Sequence, residues 1–138
     1  MKTVLFFVAV IFIFSSCVMM VNSNSSVLGS GQSQVELRNF QSRIFDTDDT
    51  DGVIRNIMST MQDLGFIIDR ADRELGSVSG YSFSSKTTLT VTVRTRASQT
   101  VVRANAQAGT RPITAPKAYQ NFFNALSQSL FLAANEVL

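Results

Sequence analysis

The chain of 138 residues is long enough for one domain, or for one domain preceded by a targeting segment. With 16% charged residues and a formal net charge of +2, it is neither a disordered polyelectrolyte nor a nucleic-acid-binding protein with a large positive field. It contains no His and a single Cys. The composition therefore excludes the usual general base near neutral pH, an intrachain disulfide and a cysteine-based zinc site.

The first 17 residues have the pattern of a targeting sequence. Lys2 provides a positive start, and residues 4–14 form an unbroken apolar run that is too short by itself to span a bilayer. The Phe-Ser-Ser-Cys sequence that ends at Cys17 resembles the lipobox of bacterial lipoproteins. This resemblance implies cleavage between Ser16 and Cys17 and acylation of the Cys17 thiol, and buried acyl chains give stable membrane anchoring.

Two other interpretations of this segment stay open. Because apolar residues continue beyond Cys17, residues 3–21 also have the length of an uncleaved single-span anchor. The small residues that end at Ser23 suit cleavage by an ordinary signal peptidase. If the chain is a lipoprotein of a Gram-negative cell, the resemblance implies a sorting rule in which Val18, in place of Asp, favours the outer membrane and its periplasmic face.

A polar segment separates the signal sequence from the domain. Residues 22–34 are rich in Ser, Asn, Gly and Gln and have no hydrophobic periodicity. Such a composition cannot bury enough apolar surface to order itself. We therefore predict a signal peptide over residues 1–16, a lipidated flexible tether over 17–34 and a folded domain over 35–138.

The first two elements of the domain are predicted to be a strand and a helix. Residues 35–45 indicate a strand in which the apolar parity changes after Leu37, as at a bulge or a register break. Apolar residues then recur at helical spacing and predict a helix over about residues 50–64. Asp49 or Thr50 can cap its first turn, and Gly65 can end it in the left-handed conformation.

Four strands and a final helix are predicted next. A strand starts at residues 66–68, and a second follows over 75–85, after a turn at 72–74. Residues 87–95 and 100–108 alternate most regularly. One face of the first of these strands carries Leu89, Val91 and Val93, and one face of the second carries Val102, Ala104, Ala106 and Ala108. From Pro116, an apolar stripe at spacings of three and four predicts a helix through Tyr119, Phe122, Phe123, Leu126, Leu130, Ala133, Ala134 and Val137.

The predicted order β-α-β-β-β-β-α indicates an α+β domain. Short turns between consecutive strands imply an antiparallel sheet, and two amphipathic helices must bury their apolar stripes against it, as in a two-layer sandwich. The small Ala side chains allow a helix rich in aromatic residues to approach the sheet closely. Lipobox, tether and element order together resemble the helix-grip domains of small periplasmic lipoproteins. Residues 41–47, 64–66 and 119–123 are similar to stretches in uncharacterised lipoproteins of this size, a resemblance that implies no activity.

The acidic run over residues 46–51 invites comparison with a calcium-binding loop. An EF-hand loop needs a glycine at position 6 and a bidentate glutamate at position 12. A loop that starts at Thr47 places Met58 at position 12, and one that starts at Asp46 places Ile57 there. Neither alignment works, so we interpret the run as a helix start favoured by the helix dipole. No metal or other cofactor is predicted.

Three arginines are the candidate binding residues of the domain. Arg94, Arg96 and Arg103 are predicted to share the face of one hairpin that points away from the helices. They can contact an acidic partner, such as a lipopolysaccharide phosphate, a peptidoglycan carboxylate or another protein, or they can simply solvate the sheet. Nucleic acid is not expected, because no aromatic residues interleave with the arginines and the net charge is small.

The sequence carries no recognisable catalytic constellation. A nucleophilic serine needs a base, and there is no Ser-x-x-Lys pair, Gly-x-Ser-x-Gly elbow or phosphate-binding loop. We therefore predict a non-enzymatic, lipid-anchored interaction or accessory module with an envelope protein as partner. A second hypothesis is an apolar-ligand or lipid site between the sheet and the last helix, motivated by Tyr119, Phe122, Phe123 and Phe131. A hydrolase with an unrecognised site is a third, minor hypothesis.

Overall fold

The computed structural model describes residues 34–135 of the chain. These residues form an α+β fold of three helices and six strands, which confirms the predicted class. In chain order the elements are α1 (Gln34–Gln41), β1 (Ser42–Phe45), α2 (Thr50–Asp63), β2 (Ile67–Asp72), β3 (Ser77–Ser82), β4 (Thr87–Arg96), β5 (Gln99–Ala108), β6 (Arg111–Pro112) and α3 (Pro116–Asn135).

The strands form one antiparallel sheet in the order β1-β5-β4-β3-β2, and β6 pairs with the end of β5. Strands β2 to β5 are neighbours in both sequence and space because short turns connect them. In the first turn, the Gly76 N–H donates a hydrogen bond to the Arg73 carbonyl oxygen at 3.2 Å. In the last, Ala97 takes a positive φ of 56°. The antiparallel arrangement predicted from the short turns is thus confirmed.

The strand predicted over residues 35–45 is wrong in its first part, because Gln34–Gln41 is the helix α1. Of residues 35–45, only Ser42–Phe45 form a strand, and this strand pairs with β5. Helical spacing brings Phe40 and Gln41 onto α3, where the rings of Phe40 and Tyr119 have centroids 5.7 Å apart. The change of apolar parity after Leu37 therefore marks a helix that continues into a strand, and no bulge is needed to explain it.

Helix α2 follows the sequence prediction closely. Its N-cap is Asp49, whose Oδ1 accepts a hydrogen bond from the Gly52 N–H at 2.8 Å. After the helix, Gly65 adopts a φ of 81°, the left-handed conformation that glycine takes without a steric penalty. The buried apolar face of α2 consists of Val53, Ile54, Ile57 and Met61.

The core lies between the helices and one face of the sheet. Helix α3 contributes its buried residues Tyr119, Phe122, Phe123 and Leu126, and the sheet contributes Val78, Leu89, Val91, Val93, Val102, Ala104 and Ala106. The small side chains of Ala104 and Ala106 lie in this core, as predicted. Ala108 is exposed, since it lies at the end of β5 where the chain turns into β6. Burial of one Phe side chain contributes about 1.5–3 kcal/mol.

Several sequence predictions concern residues outside the described part of the chain. The signal peptide, the cleavage site at Ser16 and Cys17, the tether up to residue 33 and Val137 all lie there. Within residues 34–135, none of the helices combines the length and the apolar character needed to cross a membrane.

Candidate functional site

The sheet has a face that points away from the helices, called the outer sheet face here. Its residues follow from the strand register, because directly paired residues point to the same side of a sheet. One row across the strands joins Ile67, Tyr81, Thr88 and Gln107. The next joins Arg70, Ser79, Thr90 and Asn105, and a third joins Asp72, Ser77, Thr92, Arg103 and Ser42. Beyond these rows, Arg94 pairs with Val101 and Arg96 pairs with Gln99.

The three predicted arginines lie on the outer sheet face and are all exposed. Arg94 is the central one. Arg103 is its diagonal neighbour on β5, a separation of about 7–8 Å, and Arg96 is two residues along β4, about 7 Å away. Among residues 34–135, none of the three makes an ion pair or a side-chain hydrogen bond. Their charges are therefore available to a partner.

A shallow groove borders the arginines on the side of the β2–β3 turn. Arg94 lines this groove together with Arg73 and Glu74. The groove owes its shape to the close approach of this turn to β4, where the Val93 N–H donates a 2.7 Å hydrogen bond to the Gly76 carbonyl oxygen. Arg73 and Glu74 bring opposite charges to this border, so the arginines without an acidic partner lie on the β4–β5 side.

An exposed apolar cluster occupies the opposite end of the outer sheet face. The rings of Tyr81 and Phe83 meet edge to face, with centroids 4.9 Å apart. Phe83 is 71% exposed, and Ile67, which pairs with Tyr81, is 60% exposed. The alternation of residues 75–85 predicts Tyr81 and Phe83 on one side of a strand, but it does not tell which side. Pairing with Thr88 decides that this side faces solvent.

A cleft of about 330 Å³ lies between the sheet and the start of α3. Its walls are mostly apolar, and Ser85, Thr87 and Asn121 contribute polar groups. This volume is at the lower end of the range for small-molecule sites, which are commonly apolar with a few polar groups. The apolar lining comes from Leu64, Phe66, Leu89, Ala106, Ile113, Ala118, Tyr119 and Phe122.

The four aromatic residues proposed for an apolar-ligand site do not form one surface. Tyr119 and Phe122 line the cleft between sheet and helix, as that hypothesis requires. Phe123 is buried in the core, with a relative exposure of 1%. Phe131 is 68% exposed and borders a separate cavity of about 450 Å³ between the start of α2 and the C-terminal half of α3. The structure thus brings two of the four to the predicted place.

The acidic run makes contacts within the fold. Besides the cap made by Asp49, the Asp46 Oδ1 accepts a 2.6 Å hydrogen bond from the Gln99 side-chain amide. The Thr47 carbonyl oxygen accepts a 2.6 Å hydrogen bond from the hydroxyl of buried Thr100. The predicted role of the run as a helix start is confirmed, and two of its residues also hold the loop against β5.

No family model matches the sequence, and no curated protein matches it either.

Proposed function

We propose that this chain is a lipid-anchored protein of the bacterial cell envelope and that its α+β domain is a non-enzymatic binding module facing the periplasm. Of the two membranes of a Gram-negative cell, the outer membrane is favoured. The observation that carries the binding role is the set of Arg94, Arg96 and Arg103, exposed on one sheet face and without an acidic partner among residues 34–135. The lipobox-like sequence before Cys17 supports the anchor.

The arginines support a binding role because their arrangement leaves them unsatisfied. A guanidinium presents a planar fork of donors that matches a carboxylate or a phosphate. Surface arginines used only for solubility are commonly interspersed with acids, whereas the strand partners of these three are Val101, Thr92 and Gln99. The acids Asp72 and Glu74 lie on the β2–β3 side, and neither forms an ion pair with the three arginines. An acidic component of the envelope is the partner that such a surface suits.

Intact mass of the full-length protein, extracted from a bacterial membrane with detergent, tests the anchor. A chain that begins at Cys17 and carries added acyl mass supports the proposal, and Cys17→Ser should abolish both the cleavage and the added mass. A chain that begins at Met1 would identify an uncleaved anchor. A chain without acyl mass that begins at Asn24 would identify ordinary secretion, and either result would overturn lipid anchoring.

The binding role is tested by titrating the detergent-solubilised full chain with an acidic polymer. Replacement of Arg94 and Arg103 by Gln should weaken binding, while the matched variant Arg55→Gln, at an exposed position on α2, should not. Equal affinities of the wild type, the double variant and Arg55→Gln for the polymer would contradict a specific role for the outer sheet face.

The cleft favours a second candidate function, the binding of an apolar ligand between the sheet and α3. The observation that supports this candidate is the largely apolar lining of the 330 Å³ cleft. Native mass spectrometry of the extracted protein should detect a co-purified ligand. Ala118→Trp, at an exposed residue that lines the cleft, should then exclude the ligand, whereas Ala134→Trp, at the separate cavity, should retain it. Absence of any ligand, or its retention in both variants, would contradict this candidate.

A further inference from the structure

We infer that the outer sheet face binds an extended, carboxylated polysaccharide, whose sugar rings pack on Tyr81 and Phe83 while its carboxylates pair with Arg94 and Arg103. This inference rests on the proposed function, because it uses the same arginines, and it adds the chemical class of the partner and a second contact region.

The aromatic end of the face has the properties of a sugar-binding platform. A pyranose ring has one face made of C–H groups, which packs on an aromatic ring while its hydroxyl groups remain available for hydrogen bonds. Phe83 is 71% exposed and is held in place by its edge-to-face contact with Tyr81, at 4.9 Å between centroids. Exposed apolar clusters on soluble domains commonly mark interaction sites. Ile67, 60% exposed beside Tyr81, extends the platform.

The distance between the two ends requires a long ligand. Thr88, which pairs with Tyr81, and Arg94 are six residues apart on β4, a distance of about 20 Å at the rise of a β-strand. A single small anion cannot reach both the aromatic platform and the arginines. A polymer that lies along the strands can.

The surface between the two ends has the hydrogen-bonding groups that a polysaccharide needs. Its paired residues are Ser79 with Thr90 and Ser77 with Thr92, and Asn105 pairs with Thr90 from β5. Hydroxyl and amide groups both donate and accept hydrogen bonds, as sugar hydroxyls do. On β3, β4 and β5 these side chains are uncharged, and the charged pair Arg70 and Asp72 lies at the β2 edge of the same face, where the two side chains form an ion pair.

The charge distribution favours a sparsely charged polysaccharide over a nucleic acid. Nucleic acid carries a negative charge at every repeat and is bound by basic residues along its whole path, whereas the arginines without an acidic partner, Arg94, Arg96 and Arg103, occupy only one end of this face. Arg94 and Arg103 are diagonal neighbours about 7–8 Å apart. Two carboxylates of one polymer can therefore each pair with one of these guanidinium groups.

The inference is tested with the full-length protein in detergent and four fluorescently labelled probes of similar length. The probes are an oligosaccharide of alternating glucuronate and N-acetylglucosamine, a neutral glucan, polyglutamate and polyphosphate, and the readout is fluorescence anisotropy. The carboxylated oligosaccharide should bind more tightly than the other three. Phe83→Ser should weaken its binding about fivefold, the contribution of one aromatic contact, and leave polyglutamate binding unchanged. Phe131→Ser is the matched control, because Phe131 is also an exposed phenylalanine, at 68%, but lies on α3, away from the face.

The arginine variants separate failure of this inference from failure of the proposed function. Arg94→Gln combined with Arg103→Gln should weaken the binding of both polyglutamate and the carboxylated oligosaccharide about tenfold or more, through loss of charge-assisted hydrogen bonds. If that loss occurs but Phe83→Ser has no effect, or polyglutamate or polyphosphate binds as tightly as the sugar polymer, the polysaccharide is wrong and an acidic partner of another class remains. If the arginine variants bind every probe like the wild type, both proposals are overturned.

Discussion

The Tyr119 hydroxyl donates a 2.6 Å hydrogen bond to the carbonyl oxygen of Ile113, which precedes α3 in the chain. The Tyr119 hydroxyl oxygen in turn accepts hydrogen bonds at 3.2 Å from the Ala106 N–H on β5 and from the Gln41 side-chain amide at the end of α1. Tyr119 is 1% exposed. One buried hydroxyl therefore joins the three parts of the chain that meet at the start of α3.

Replacement of Tyr119 by Phe should reduce the free energy of unfolding by about 1–3 kcal/mol, because it leaves buried polar groups without their hydrogen-bond partner. Tyr81→Phe is the control, since no hydrogen bond from its hydroxyl occurs within residues 34–135, and its effect should stay within about 0.5 kcal/mol. Urea denaturation measures both changes. Equal stabilities for the two variants would show that the Tyr119 hydroxyl is not a structural link.

Two buried threonines should respond in opposite ways to replacement by Val. Within the described residues, the Thr60 Oγ1 is buried and has no hydrogen-bond partner, so Thr60→Val should be neutral or stabilising. The Thr100 hydroxyl donates to the Thr47 carbonyl oxygen, so Thr100→Val should destabilise the domain by about 1–3 kcal/mol. Thermal melting provides the comparison, and a substantial loss of stability in Thr60→Val would reveal a partner of its hydroxyl.

A buried and an exposed phenylalanine of α3 together provide a test of the core. Phe123→Ala should cost about 3–5 kcal/mol, the usual range for removal of a buried Phe, and Phe123→Asp should unfold the domain. Phe131 is 68% exposed, so Phe131→Ala should change stability by less than about 1 kcal/mol. Circular dichroism during denaturation distinguishes these results. Cooperative unfolding that persists in Phe123→Asp would contradict the core assignment.

Glycine is required at position 76 for two physical reasons. Its φ is 60°, and a Cβ atom there would collide with the carbonyl oxygen of Val93. Gly76→Ala should therefore cost about 2–3 kcal/mol, since backbone strain and the displaced strand contact add together. Gly109 has a similar φ of 61° but no described atom within 4 Å of the Cβ position, so Gly109→Ala should cost only about 1 kcal/mol. Equal melting temperatures would argue against the close approach to β4.

Local sequence patterns were sufficient to predict most of the fold. Helix α2 follows from apolar spacing between the cap at Asp49 and the left-handed Gly65, both of which are local signals. Alternation in β4 and β5 predicts which side chains are buried, and short turns predict their antiparallel pairing. These features depend on interactions between residues close in sequence, so a pattern can reveal them.

Long-range contacts decided the rest. Residues 34–41 form a helix because Phe40 and Gln41 pack on Tyr119, a contact that is not encoded in their own spacing. Arg43 lies 5.1 Å from the centroid of the Phe123 ring, on the inner side of β1, although its charge suggests a solvent-facing position. For the candidate site, the sequence alone placed the three arginines on one face. Only the sheet register, which is a property of paired strands, aligns them with Tyr81 and Phe83.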